Sequence, residues 1–363
     1  MLIYFIYFIF LAVLAVEYEL NPFKSNGLLI FIIVSLALLA GLRAQEVSRD
    51  YLPYQYAFDA INNFMENDSG NDFNAYEPGF IGIVLLVKLF FVQNYGVVIM
   101  LFFAFASVSI KIFVIDRFSI NPYLVILLYF SSNFIVHEMT QIRIGLASAI
   151  FLISLIFYFK NNYKAYIAII LLASLFHYSA LGYLVLLLFN KTTFNRYIYT
   201  ALLILSIVLA FIKLPLSNLV GGVFSAVDSS GKLGTYSTII EYNLADDVKV
   251  FNVINLAKIF CSVYLMYLVP KYELLKDSRL IFFLKCNILS IFALSFFSGV
   301  PLIAFRISEL YGILSMFTFA YLAKYLPFSK YNIWFVVIIA GLLFYLTAIH
   351  GGLLNPYKII QIT

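Results

Sequence analysis

Charge is what this chain has least of. Only 11% of its 363 residues are Asp, Glu, Lys or Arg, while 64% are hydrophobic; a soluble domain carries about 25% charged residues. A water-soluble fold of that composition would expose large apolar patches, and such patches associate. The other outlet for that surface is lipid. Cysteine is nearly absent too: Cys261 and Cys286 lie inside apolar stretches, with no CxxC and no Cys/His cluster. That gives no support to a disulfide scaffold or a zinc site. There is no glycine-rich phosphate loop ending in lysine and no serine-centred nucleophile elbow, so ATP-driven chemistry has no support. Asp246-Asp247 lacks a third carboxylate at ligand spacing, so no metal and no cofactor is expected. The net charge of +5 is dispersed, without the basic stripe that nucleic acid as a partner would require.

What is present is a series of long apolar runs. About 20 apolar residues span a bilayer core. Candidate segments fall at 2–16, 28–42, 78–92, 95–115, 122–137, 141–159, 165–189, 197–212, 250–269, 280–300, 306–323 and 331–349. The expectation is an all-α polytopic membrane bundle of about 10–13 segments, some broken or re-entrant. It is read as a single integral membrane domain over residues 1–363. Residues 1–16 lack the basic region and small-residue cleavage site of a signal peptide, and are read as a retained first segment. Two polar stretches interrupt the pattern, 43–77 and 213–249. Both exceed the length of a tight turn, and loops of that size are commonly functional.

Lysine and arginine in short loops set the orientation. The basic loops at 191–196, 271–279 and 324–330 read as cytoplasmic. The 43–77 loop carries two basic and seven acidic residues and is placed outside, as is 213–249. Lys111, Arg117, Lys160 and Lys164 also read as cytoplasmic. That agrees with the crossing count if 78–115 makes one net crossing and 165–189 is a broken hairpin.

Ionisable residues in or beside membrane segments are costly, about 2.5–3.5 kcal/mol at mid-helix on insertion scales, and are functional candidates for that reason. Arg43 stands at a segment end, where a guanidinium can grip phosphate with two parallel bonds or snorkel to the interface. Arg49-Asp50-Tyr51 and Tyr54 follow it, and Glu77-Pro78 opens the next segment. Arg143, in Gln141-Ile-Arg143-Ile-Gly145, opens a helix whose N-terminus already favours anions; the alternative is an ion pair with Glu138. His177, in Phe176-His177-Tyr-Ser179-Ala180, lies in an apolar stretch. It is either a core histidine bonded to a backbone carbonyl or a proton acceptor. Arg306 and Glu309 share a helix face at i, i+3, after a break at Gly299-Val-Pro301, and either pair with each other or bind ligand.

In order, these residues resemble the EpsG family of bacterial polysaccharide polymerases, related in role to the Wzy O-antigen polymerases. The resemblance runs through Arg43, Asp50-Tyr51, Tyr54, Glu77-Pro78, Gln141-Ile-Arg143-Ile-Gly145-Leu-Ala147, Phe176-His177-Tyr-Ser179-Ala180, Arg306 and Asn355-Pro356-Tyr357. Its most specific part is the Gln-x-Arg motif followed by Phe-His-x-Ser-Ala. Arg49 stands where the family often has glycine, and Ile144 where it often has a polar residue. The resemblance implies a metal-independent glycosyltransferase of the bacterial inner membrane, acting on its outer side. It would move a growing glycan from undecaprenyl pyrophosphate to a lipid-linked repeat unit, alongside a flippase and a chain-length regulator. His177 or Asp50 would take the acceptor's proton. Arg43, Arg143 and Arg306 would balance the pyrophosphate, and Gln141, Tyr54 and Glu309 would contact substrate. The residues also leave open a lipid-oligosaccharide flippase, which needs the same arginines, and a membrane O-acyltransferase, which would also use an intramembrane histidine. No internal duplication of the kind transporters show is visible.

Overall fold

The computed structural model describes residues 1–66, 76–216 and 248–360. The part of the first polar stretch at 67–75 lies outside the described residues. So does most of the second, 217–247, with its Asp246-Asp247 pair. Among the described residues the chain is helical, and β structure is confined to two isolated bridges, Arg43 to Ile359 and Ser48 to Leu354.

In chain order the helices are α1 (Leu2–Leu20), α2 (Asn26–Gly41), α3 (Tyr51–Glu66), α4 (Pro78–Phe90), α5 (Tyr95–Phe118), α6 (Pro122–His137), α7 (Ile142–Phe159), α8 (Tyr163–Ser174), α9 (Arg196–Ile212), α10 (Val253–Tyr267), α11 (Lys271–Lys276), α12 (Ser278–Phe296), α13 (Pro301–Gly312), α14 (Ser315–Tyr325) and α15 (Asn332–His350). Five of them, α1, α5, α7, α12 and α15, are long and apolar enough to cross a bilayer, and α13 with α14 is an apolar pair bent by 50°, as in a broken span or a re-entrant loop. The chain is an all-α, multi-pass membrane protein. Local chemistry sets many of the starts. Ser25, Asn121, Asn162, Asn195, Asn252 and Asp277 accept backbone N–H groups at helix N-termini, where four donors have no helical partner. Pro78, Pro122 and Pro301 occupy first-turn positions, where the missing N–H costs nothing.

The helices group into two compact units, Met1–Leu184 with Leu326–Thr363, and Val185–Tyr325. In the first unit α5 packs against α2 and α7. Gly41 of α2 lies so near α5 that a Cβ there would sit 2.8 Å from the Leu101 Cα. On the other flank α6 packs on α1 and α15. The π-helical turn Phe130–Phe134 of α6 meets the π-helical turn Tyr345–His350 of α15, with Phe130 stacked on Phe344. Helix α4, 13 residues and about 20 Å long, lies alongside α3 at both of its ends. Phe80 touches Phe58, while Lys88 donates to the Phe58 carbonyl and Tyr95, just beyond, to Asp59. Phe80 also meets Phe103 of α5, which packs against α4. Beyond α8 the chain breaks at 175–177 and doubles back: Tyr166 Oη donates to the Tyr183 carbonyl at 2.7 Å, and the Tyr183 ring stacks on Phe151.

In the second unit α12 packs against α9, α10, α13 and α14. Lys285 of α12 donates to the carbonyls of Asn190 and Thr193, which fixes the turn ahead of α9. Lys258 of α10 donates to Ser290 Oγ at 3.0 Å, and Ser290 donates to the Ser308 carbonyl at 2.7 Å. With no water in a bilayer core, polar groups must find partners of this kind inside the protein.

Candidate functional site

The expected site residues of the first unit gather where α2, α6 and α8 end and α4 and α7 begin. Glu77 is at the centre. It precedes Pro78 in extended conformation and has no exposed surface. Its position depends on Gly79. The Gly79 N–H donates to the Leu175 carbonyl at 2.7 Å, and a Cβ on Gly79 would stand 2.7 Å from that oxygen. Only glycine lets the start of α4 come this near the end of α8.

That approach sets Glu77 beside His177. The imidazole is buried, and its Nδ1 lies 3.0 Å from Glu77 Oε1. The other carboxylate oxygen, Oε2, accepts from Nη1 of Arg143 in the first turn of α7. One buried carboxylate thus holds both the histidine and the arginine singled out in the sequence. The Arg143 guanidinium is 5.4 Å from the Phe80 ring centre, 5.6 Å from Tyr76 and 5.9 Å from Tyr54. Its side chain keeps 19% of its surface exposed. Arg143 Nε and Gln141 Oε1 are buried and meet no hydrogen-bond partner among the described residues. The expected alternative partner for Arg143, Glu138, is taken elsewhere: it pairs with Lys111 at 2.5 Å and accepts from Ser107, while His137 lies 3.2 Å from Lys111 and 3.3 Å from Ser148.

Arg43 has a different setting from the one its position in the sequence suggested. It has no exposed surface. Its Nε donates to Ser48 Oγ at 3.1 Å, Nη1 to the Ala40 carbonyl and Nη2 to Met100 Sδ at 3.8 Å, and it lies 5.6 Å from the Tyr51 ring centre. Burial pushes the guanidinium down to about 10, so it stays charged at neutral pH. Arg43 is therefore enclosed and not at the surface. The C-terminal segment packs beside its loop. Ala44 N–H donates to the Lys358 carbonyl, Ile360 N–H to Leu42, Asn355 N–H to Val47, and the Asn355 amide to Glu46.

Asp50 is half-buried. Burial raises its carboxyl above the usual 3.8, and the charges of Arg43, Arg49 and Arg143 oppose the rise. Three cations are thus near enough to act on one carboxyl. Tyr54 is buried, and its hydroxyl is likewise pushed up by burial against the pull of Arg143. Arg306 and Glu309 belong to the second unit, where both are half-buried on α13. The charge of Glu309 is felt at Lys258. Sequence reasoning placed Glu77 at a helix start without giving it a role, and passed over Lys258. An acid next to proline at the head of an apolar run was the available signal, because a carboxylate entering such a run needs a cation.

The first unit therefore offers a histidine oriented by a carboxylate, an arginine at a helix N-terminus and a half-buried aspartate. A histidine so held can accept a proton, and the arginine can balance a developing anion. A sequence-family profile described as the EpsG family matches residues 26–359. No curated protein and no solved structure matches the chain.

Proposed function

Because the chain belongs to the EpsG family, a family of Wzy-like polysaccharide polymerases, we propose that it lengthens a polysaccharide from undecaprenyl-pyrophosphate-linked intermediates on the outer face of the bacterial inner membrane. The observation that carries this reading is the Glu77 carboxylate shared between His177 and Arg143. In the proposed reaction an acceptor hydroxyl of the lipid-linked repeat unit attacks the anomeric carbon of the growing glycan. The bond from that carbon to the pyrophosphate oxygen breaks, and its electron pair leaves with undecaprenyl pyrophosphate. The hydroxyl proton passes to His177.

Each residue has a task in this scheme. Pyrophosphate is already a good leaving group, so fixed positive charge is of more use there than a general acid. Arg143, exposed on one side and set on a helix N-terminus, is the first contact for it. Arg43, enclosed by the C-terminal segment, acts by holding residues 42–48 in place. Asp50 is a second proton acceptor near Arg143. Gln141 and Tyr54 face substrate there, and Arg306 and Glu309 are the substrate-binding candidates of the second unit. The lipid tails need only the bilayer. A flippase supplying the repeat units and a chain-length regulator are the expected partners.

The test is reconstitution. Purified protein in liposomes, given only lipid-linked repeat units, is expected to produce a ladder of longer glycans without ATP, added metal or acyl-CoA. Chains that stay at one repeat while lipid crosses the bilayer would instead establish a flippase. Acyl transfer to sugar with an acyl donor present would establish an O-acyltransferase.

A further inference from the structure

The geometry points to Glu77 as a two-sided positioning residue: one oxygen fixes the proton of His177 on Nδ1, the other fixes Arg143, and reaction needs both at once. This inference rests on the polymerase reading for its chemical meaning, but its structural content does not.

A histidine that takes a proton from substrate must do so through one nitrogen while the other carries the hydrogen. Nδ1 is the nitrogen that faces Glu77 Oε1, at 3.0 Å. A carboxylate has no proton to give, so the hydrogen in that contact belongs to Nδ1 and the lone pair belongs to Nε2. Arg143, always charged, offers only donors, and it occupies Oε2. Glu77 must therefore accept from two directions with two oxygens. It has no exposed surface, so water is a poor substitute for either partner.

Glutamine has the same shape but only one acceptor. If its oxygen faces Arg143, its NH2 faces Nδ1, donates to it and drives the ring hydrogen to Nε2. The base is then blocked. If its oxygen faces Nδ1, its NH2 faces the guanidinium, donor against donor, and Arg143 loses its anchor. Aspartate keeps both acceptors on a side chain one methylene shorter. A purely space-filling or single-bond role would give the opposite order, with glutamine mild and aspartate damaging. In the transfer step the acceptor oxygen bonds to the anomeric carbon, the carbon–oxygen bond to pyrophosphate breaks, and the proton arrives at Nε2. Glu77 stays ionised throughout.

The experiment uses the full chain in detergent or nanodiscs, labelled with 15N-histidine; with three histidines in the sequence, His177→Gln identifies the His177 signal. In the wild type the His177 ring is expected with hydrogen on Nδ1. In Glu77→Gln the hydrogen is expected on Nε2, or the ring is expected to lose a fixed tautomer. With lipid-linked repeat units, Glu77→Gln is expected to lose turnover by about 100-fold or more, the scale of general base catalysis. Glu77→Asp is expected to retain measurable turnover and the wild-type tautomer. An Nε2 hydrogen in the wild type, or a wild-type tautomer with near-normal turnover in Glu77→Gln, overturns the proposal. The tautomer is read without any reaction. A wild type that shows the Nδ1 hydrogen yet makes no polymer leaves the positioning geometry standing and removes the polymerase reading.

Discussion

Arg143 stands in the first turn of α7, where positive charge opposes the helix dipole. Glu77 and three aromatic rings offset that cost, and an anionic ligand would offset more of it. Arg143→Ala leaves Glu77 buried beside one partner fewer. Removing one member of a buried pair costs about 3–5 kcal/mol, so that variant is expected both to unfold earlier and to lose activity. Arg143→Lys separates the two effects: it keeps the charge but cannot form a planar fork. Its melting temperature is expected near the wild type's, with donor affinity at least tenfold weaker in a binding assay with undecaprenyl pyrophosphate. Unchanged affinity would remove Arg143 from the donor site. Asp50 gives a pH-linked case. Its carboxyl is raised in the folded protein, so the fold binds its proton more tightly than the unfolded chain does. Stability from that group is lost as pH rises from 3.8 through the raised value. Asp50→Asn is therefore expected to melt at or above the wild-type temperature at pH 7 while polymerising more slowly. A lower melting temperature would make Asp50 a structural residue.

At the scale of elements, the site depends on two close approaches. The first is α4 against the end of α8 through Gly79. Gly79→Ala forces a Cβ onto the Leu175 carbonyl, and overpacking of this kind costs about 1–3 kcal/mol. The start of α4 must shift, which moves Glu77 away from His177. The expected result in a polymerisation assay is a larger loss of activity than the modest fall in melting temperature suggests, and full activity would show that the approach is dispensable. The second is the C-terminal segment beside residues 42–48. Ending the chain after Leu353 removes the backbone partners of Leu42, Ala44, Glu46 and Val47 and the bridge that covers Arg43. A protein that inserts normally but polymerises poorly is expected. Much of the element layer was legible in the sequence. Run lengths located the apolar helices but not α3, which lies in the 43–77 stretch read as a polar loop; Pro78 and Pro301 marked two starts, and the motifs around Arg143 and His177 stood out because charge is rare in apolar context. The pairing was not legible. Glu77 meets Arg143 across 66 positions and His177 across 100, and no local periodicity encodes such contacts. Arg43 read as a surface arginine because the segment that buries its loop lies about 310 positions away in the chain, the span of the Asn355 bond to Glu46.

For the molecule as a whole, the bilayer explains why so few charges appear and why each is held. Lys111 pairs with Glu138, Arg143 with Glu77, and Lys285 with two carbonyls, as an environment without water favours. A ligand that binds the folded protein raises its melting temperature by mass action. Undecaprenyl pyrophosphate is expected to do so for the wild type and for His177→Ala, but not for Arg143→Ala. In the proposed reaction the Glu77-held imidazole takes the acceptor's proton while the donor is gripped elsewhere. The most direct test is turnover of reconstituted His177→Ala on lipid-linked repeat units, measured with donor affinity on the same preparation. Donor affinity is expected within a few-fold of wild type and polymer formation slower by about 10²–10⁴-fold. Wild-type ladders from His177→Ala would contradict the proposed reaction.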